Sequence, residues 1–447
     1  MGRTALLLLA ALALIASACS SDSSTEAEGT TETTASSSTS FVEMSGVPGV
    51  TDTEIRYSMV GTEANNPAGT CMLSCFQDGV DAYFDYRNDE GGIYGRQLVV
   101  SDVLDDEFAN NQLKSIEVIT NDDTFGTFVA SVLPIGYTDL ADAGIPVYTF
   151  LSDGVLGARD TIFAPAMSST CTTCTRFDMA YAVKLAEATK VGTLGYDIGQ
   201  SADCARFAGD SVELYSSELN GAEVAYLNVN LQYGMSNGVA PEVTAMKNAG
   251  VDFVFACLDL NGMKTLAQEM ERQGMGEVPM YHTNSYDADF MATNATLFEG
   301  DYVGTLLRPL ESNSEGTALE QFTEWMEKAG AQPTEVAMHG WIAADMAYQG
   351  LVAAGAPFTR QSVIDATNGI EDYTAGGMLS PLDFGRQHQP PTQDDPATHG
   401  SIPWCFAILQ VESGAFTVAA PASDDKPFLC WPGDTRDWSE PEASTFS

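Results

Sequence analysis

The chain has 447 residues, 44% of them hydrophobic and 18% charged, which suits two packed α/β domains and excludes a largely disordered polypeptide. Asp and Glu number 62 against 19 Lys and Arg, a formal charge of −43 at pH 7. That field repels phosphate backbones and anionic lipid surfaces, and no basic stripe reverses it locally, so no nucleic-acid partner is expected.

The first 19 residues carry one basic residue, Arg3, an apolar run from Ala5 to Ile15 and small residues leading to Cys19. This reads as an export signal, the run being shorter than the roughly 20 residues of a membrane-spanning helix. Ile15-Ala16-Ser17-Ala18-Cys19 resembles the lipobox of bacterial lipoproteins, with Ala16 where Leu is usual. The resemblance implies lipidation of Cys19 and a chain held at the outer face of the cytoplasmic membrane or in the periplasm; cleavage after Ala18 without lipidation is the alternative. Residues 20–49 begin with an almost apolar-free Ser/Thr-rich stretch and are expected to be a flexible linker.

Export places the other cysteines, Cys71, Cys75, Cys171, Cys174, Cys204, Cys257, Cys405 and Cys430, in an oxidising compartment, where disulfides are the first expectation. One allowed pairing joins Cys71 to Cys75, Cys171 to Cys174, Cys204 to Cys257 and Cys405 to Cys430. A zinc site from Cys71, Cys75, Cys171 and Cys174 lacks the usual two-residue spacing in its first pair.

From Glu54 onward short β-like runs alternate with helical patterns, the signature of βαβ units. A strand over Glu54–Gly61 precedes a helix over Gly79–Asn88, stopped by Gly91-Gly92; a strand follows over Arg96–Asp106. The next helix carries Leu113, Ile116, Val118 and Ile119 at core spacing, and strands follow over Phe125–Leu133 and from Ile145. After the Cys171 cluster the pattern restarts with helices Phe177–Thr189, Ala205–Leu219, Val239–Ala249 and Gly262–Gln273. Between and after these helices run strands from Val191, Ala222, Asp252 and Val278. Glu299–Pro309 reads as a crossing between domains, followed by helices Leu319–Ala329 and His339–Ala354. Residues 386–401 are polar and Pro-rich, hence a loop, and Trp404–Pro421 reads as a hairpin turned at Ser413-Gly414.

Three stretches carry a resemblance: GVDAYFDYRNDEGGIYG (Gly79–Gly95), LVVSDVLDDEFANNQ (from Leu98) and LADAGIPVYTF (from Leu140). With the order of elements, they resemble the solute-binding proteins of branched-chain amino-acid ABC transporters, the periplasmic-binding-protein type I group, over about Val50 to Gly385. The resemblance implies an α/β fold of two Rossmann-like lobes with parallel-rich sheets joined by a three-segment hinge. Its domains would be residues 50–166 with 306–382 as lobe 1, 167–305 with 383–434 as lobe 2, and a flexible tail over 435–447. It further implies a monomer that traps a small polar or amphipathic solute, an amino acid or a related compound, and delivers it to an ABC permease and its ATPase by cleft closure. A sensory receptor protein signalling through a partner is the alternative, and a secreted hydrolase a weaker one.

In doubly wound sheets ligands sit beyond the carboxyl ends of strands. The loops there supply candidate contacts: Asn66, Ser131, Phe150, Ser152 and Asp153 from the first half, and Gln200, Asp203, Asp259, Ser285 and Tyr286 from the second. Phe150 and Tyr286 are candidates for stacking on a planar solute.

Catalytic constellations are missing. His282, His339, His388 and His399 are scattered, and the sequence holds no H-E-x-x-H, no G-x-S-x-G and no phosphate loop. His388 and His399 flank Asp394-Asp395 in what reads as a solvated loop, and Asp102, Asp105, Asp106 and Glu107 do not fit calcium-loop spacing and read as a strand exit with a helix cap. Gly192, Gly195 and Gly199 lack dinucleotide spacing and read as turn glycines. No enzyme activity, cofactor or metal is expected.

Overall fold

The computed structural model describes residues 40–67, 69–150, 152–153, 159–165, 167–168, 177–283, 285–388, 405–419, 422–430 and 442–444. Cys19, Cys171, Cys174, His399 and most of the 386–401 loop fall outside them.

The chain opens with β1 (Glu54–Gly61), α1 (Leu73–Asp89), β2 (Gln97–Asp105), α2 (Asn111–Asn121), β3 (Gly126–Ala130), α3 (Tyr137–Asp142), β4 (Val147–Thr149), β5 (Ser152–Asp153), β6 (Ile162–Phe163) and β7 (Met167–Ser168). Five of these strands form a sheet in the order β2-β1-β3-β4-β6, parallel at every pairing. Helices cover both faces, so β1 from Tyr57 onward and all of β3 are buried.

The second half runs α4 (Phe177–Leu185), β8 (Lys190–Tyr196), α5 (Gly199–Leu214), β9 (Glu223–Leu231), α6 (Ala240–Ala249), β10 (Phe253–Cys257), α7 (Leu260–Gln273), β11 (Met280–His282), α8 (Ala288–Thr293), α9 (Ala295–Phe298) and β12 (Tyr302–Thr305). Then come α10 (Ala318–Ala329), α11 (Glu335–Ala354), α12 (Arg360–Thr367), α13 (Phe384–Gln387), β13 (Cys405–Glu412), β14 (Ala415–Val418), β15 (Phe428–Cys430) and β16 (Glu442–Ser444). The second sheet has nine strands in the order β16-β15-β13-β12-β11-β10-β8-β9, with β14 beside β13. Its first five strands in sequence are parallel; β13 pairs antiparallel with β12, and the expected hairpin at Ser413-Gly414 forms between β13 and β14. These are two α/β lobes with parallel-rich sheets.

Helices α10 and α11 return to lobe 1 after β12 and pack into its core. The crossing over Glu299–Pro309 does double duty: it supplies β12 to the second sheet, then Leu307 bridges Leu379 and Arg308 donates to the carbonyl of Met378 at 2.8 Å in lobe 1. Leu310 packs against the cores of both lobes.

Several elements differ from their sequence reading. Helix α1 starts at Leu73 instead of Gly79, because the Cys71–Cys75 disulfide folds the chain back and Glu63 accepts a hydrogen bond from the Ser74 N–H at 3.1 Å. On α2, Leu113 and Ile116 are 62% and 45% exposed, and the helix docks through Asn111, Ser115 and Val118 instead. Gly192 and Gly195 lie within β8, where their small size matters, since a Cβ on Gly195 would fall 2.4 Å from the Ser201 carbonyl oxygen, while Gly199 opens α5 in open space. Residues 384–388, placed by sequence in lobe 2, pack on lobe 1. Phe384 joins its core, Gln387 donates to the Ala164 carbonyl at 2.7 Å, and the His388 ring nitrogens lie 2.6 Å from Asn368 Oδ1 and 2.7 Å from the Ile162 carbonyl. No helix among the described residues is long and apolar enough to cross a membrane.

Disulfides join Cys71 to Cys75 and Cys204 to Cys257. Cys405 is also disulfide-bonded, and Cys430 lies opposite it in the β13–β15 ladder.

Candidate functional site: the edge where the lobes meet

Parallel pairing delivers the loops after β1, β3 and β4 to one edge of lobe 1, and those after β8, β10 and β11 to one edge of lobe 2. The two edges meet at identifiable points. Gly69, in the loop before α1, approaches the start of α7 so closely that a Cβ there would lie 3.0 Å from the Asn261 amide. Tyr286, after β11, accepts from the Leu310 N–H at 2.6 Å and donates to Glu311. Thr305, at the end of β12, donates to Glu335 at the start of α11 at 3.0 Å.

The lobe 1 rim is built by buried polar side chains that satisfy one another. Thr62 donates to Asp106 at 2.8 Å and accepts from the Val132 N–H at 3.0 Å; Asn111 donates to Asp106 at 3.2 Å and to Ser131 at 2.7 Å. Asp105 takes the N–H groups of Glu63, Ala64 and Glu107 at 2.8–3.1 Å. Burial pushes its pKa up, but these three bonds outweigh it and hold the carboxyl below its usual range. The acidic run at Asp105–Glu107 is therefore loop architecture. Asn66 donates to the Thr70 carbonyl at 2.8 Å, and half-buried Phe150 places its ring 5.8 Å from the imidazole of His339. Ser152 and Asp153 form β5, paired with β7.

In lobe 2, Asp259 caps α7 by accepting the Gly262 N–H at 2.7 Å and receives the Tyr196 hydroxyl at 3.3 Å; burial raises its pKa. Gln200 lies in the first turn of α5, and Asp203 on the same helix pairs with Arg206. Ser285 is buried with its hydroxyl 2.7 Å from the Met263 sulfur. Tyr286 is 6% exposed and packs edge-on against Phe416 at 5.1 Å, so it braces the crossing and offers no free face for stacking.

The first two turns of α11 supply groups that sequence reasoning passed over. Glu335 is half-buried; burial first, then the charge of Asp287, outweigh the Thr305 hydrogen bond and push its pKa up to about 7. Neither Glu335 nor Asp287 has an ion-pair partner among the described residues. His339, one turn on, has a buried Nδ1 with no hydrogen-bond partner among the described residues, and burial pushes its pKa down to about 4, so the ring is neutral at pH 7. A Glu and a His spaced by four behind the N-cap Thr334 were the signal available in the sequence. No group of three or more metal-ligating side chains is present among the described residues.

The sequence model of the periplasmic binding protein family matches residues 68–414. The chain belongs to this family. As a periplasmic binding protein it is an extracytoplasmic solute binder, from a family of binders and not of enzymes. Its fold is that of a substrate-binding periplasmic protein from Ralstonia solanacearum, with TM-score 0.65 and 17% identity over 82% of this chain and all of that one. A branched-chain amino acid ABC transporter protein from Thermus thermophilus with bound valine gives TM-score 0.63 and 16% identity over 88% of this chain and 97% of its own. A fatty acid ABC transporter substrate-binding protein from Thermomonospora curvata gives 0.60 and 18% over 83% and 93%. No curated protein matches the chain.

Proposed function

We propose that this periplasmic binding protein captures an amino-bearing polar solute, of the amino-acid class, between its lobes and delivers it to an ABC permease and its ATPase by cleft closure, without chemical conversion. The observation that carries this reading is that Glu335 of lobe 1 lies within reach of the charge of Asp287 of lobe 2, which helps to raise its pKa, while neither carboxylate has an ion-pair partner among the described residues. Bringing two carboxylates together is unfavourable unless a positive group bridges them, so an ammonium favours the closed form by its differential affinity. Neutral His339 and the Phe150 ring beside it suit the apolar body of such a solute. The valine bound to the Thermus relative supports the amino-acid class, and the fatty-acid relative shows that this fold also serves other solutes. In this reading the lobes are residues 50–166 with 306–388 and 167–305 with 405–430, and a monomer is tethered through lipidated Cys19.

The test is a thermal-shift screen of the leaderless protein against amino acids, amides, small organic acids and fatty acids, with hits confirmed by calorimetry. A solute at a hundredfold excess over Kd stabilises by roughly 2.7 kcal/mol. An amino-acid hit weakened tenfold or more by Glu335→Gln supports the proposal. Hits confined to fatty acids or organic acids, or an amino-acid hit indifferent to Glu335→Gln, would overturn the solute class. Mass spectrometry of the membrane-extracted native protein checks Cys19: an unmodified residue, or a chain starting at Cys19 without acyl groups, rules the anchor out.

A further inference from the structure

A cavity of about 330 Å³ opens on the flank of lobe 1, between the second half of α1, α10, the middle of α11 and the loop over residues 370–376. Asp345 lines it ten residues beyond Glu335, and at 1.5 Å per residue it lies about 15 Å along α11 from the interlobe edge. None of the residues that line it is among those at the interlobe edge, so the cavity is distinct from the solute cleft.

Its lining is not that of an ordinary apolar gap. Asp345 is 7% exposed within a helix most of whose residues are buried and apolar. It receives the hydroxyls of Tyr83 at 2.5 Å and Tyr373 at 2.7 Å, and the Gln349 amide at 3.2 Å. Arg87 lies over the rings of Tyr83, Tyr86 and Tyr348 at 4.5–5.1 Å. Its Nε donates to the Tyr83 hydroxyl and its Nη1 to Glu90, each at 2.8 Å, while Nη2 stays 3.9 Å from Asp345, beyond hydrogen-bond reach. A buried charge pair costs desolvation that well-packed apolar residues would avoid, so its presence on a cavity wall asks for a use.

The unspent hydrogen bonding here is mostly of one kind. Arg87 Nη2 has no acceptor among the described residues, and neither has the indole N–H of Trp341, which is 2% exposed and lines the cavity. The side-chain amide of Gln321, at the half-buried rim, is likewise without a partner among the described residues. Asp345, by contrast, is already served by three donors. The charge of Arg87 is met by Glu90 and Asp345, exposed Asp372 adds another negative group, and the chain as a whole carries −43. An anion is thus disfavoured although donors abound. Tyr86 and Trp341, with ring planes 8° apart and centroids at 5.8 Å, give the cavity aromatic walls.

We propose that this cavity is a second ligand site, which takes a small neutral ring bearing an amide carbonyl. The carbonyl oxygen accepts from Trp341 Nε1 and Arg87 Nη2, the ring packs against the aromatic wall, and Gln321 closes on the amide N–H. This site does not rest on the assignment of the cleft solute.

Benzamide is the probe and benzoate the charge control, each titrated calorimetrically into the full chain. Benzamide is expected to bind one-to-one and benzoate at least tenfold more weakly. Trp341→Phe keeps an aromatic ring in the wall and removes the N–H, and about tenfold weaker binding is expected from the lost hydrogen bond. Gln321→Trp, at a half-buried rim position, fills the mouth and should abolish binding. Both variants should leave any cleft solute found by thermal shift unaffected. No benzamide binding, equal binding of benzoate, or an affinity unchanged in both variants would overturn the proposal. So would a benzamide response lost in Glu335→Gln, which would place the molecule in the cleft.

Discussion

The hydroxyl of Tyr286 accepts the backbone N–H of Leu310 at 2.6 Å and donates to the Glu311 carboxyl. Tyr286 belongs to the lobe 2 core and Leu310 touches the cores of both lobes, so this single hydroxyl ties the loop after β11 to the end of the Glu299–Pro309 crossing. Tyr286→Phe leaves a backbone donor and a largely buried carboxyl each short of a partner. A loss of about 1–3 kcal/mol in unfolding free energy is expected, read by denaturant titration; an unchanged midpoint would show that the bond carries no net stability.

Helices α1 and α11 cross at two glycines. A Cβ on Gly79 would lie 1.9 Å from the Ala337 carbonyl oxygen, and one on Gly340 would lie 2.0 Å from that of Phe76. Gly340→Ala must push the helices apart, at an expected cost of about 1–3 kcal/mol. Gly199→Ala is the control, because nothing lies within 4 Å of its Cβ position, and a change within about 0.5 kcal/mol is expected there. Equal melting temperatures for the two variants would contradict the close crossing.

Glu335 and His339 give stability opposite pH slopes. The carboxyl of Glu335, raised from its ordinary 4.5 to about 7, keeps in the folded chain a proton that the unfolded chain loses. Its contribution is complete below pH 4.5 and lost as pH rises through about 7. His339, lowered from 6.5 to about 4, contributes above pH 6.5 and loses that contribution as pH falls through about 4. Glu335→Gln should therefore flatten the decline between pH 4.5 and 7, and His339→Gln the decline on the acid side. Denaturation across pH 4–8 measures both, and an unaltered slope in the variant would refute the corresponding assignment.

The two intralobe disulfides close loops of very different length, with sequence separations of 53 for Cys204–Cys257 and 4 for Cys71–Cys75. Chain entropy gives about 4 kcal/mol for the longer and about 2 for the shorter. Replacing each pair by Ser should lower the denaturation midpoint in that order; the reverse order would mean that the first turn of α1 depends on its bridge for more than loop closure.

Much of the fold was legible because short β-rich runs alternate with helical spacing: Glu54–Gly61 was read to the residue, and the β13–β14 turn was marked by Ser413-Gly414. Helix α2 was misread in orientation because its docking face uses Asn111 and Ser115, polar residues whose burial depends on the Asp106 and Gly136 groups that only the tertiary structure brings to them. The helix α12 was missed, its Thr359–Ser362 capping box being short and polar. At the interlobe edge, strand-end reasoning named Phe150, Asp259 and Tyr286 and passed over Glu335 and His339. They stand on a helix whose composition signals packing, and only the return of the chain after β12 carries that helix's first turn to the site.

The interlocked rim of lobe 1 bears on how this protein changes its diet. Thr62, Asp106, Asn111 and Ser131 share their hydrogen bonds, so altering one strands a buried neighbour. Single substitutions there meet a stability penalty before they can touch solute preference. On the opening turns of α11, by contrast, the buried Nδ1 of His339 has no hydrogen-bond partner among the described residues and Glu335 has no ion-pair partner there, so these two side chains are less tied to their neighbours than the rim is. Evolution, or a designer building a sensor on this scaffold, reaches new solutes most readily by changing that helix turn, one residue at a time, on a rim that holds its shape.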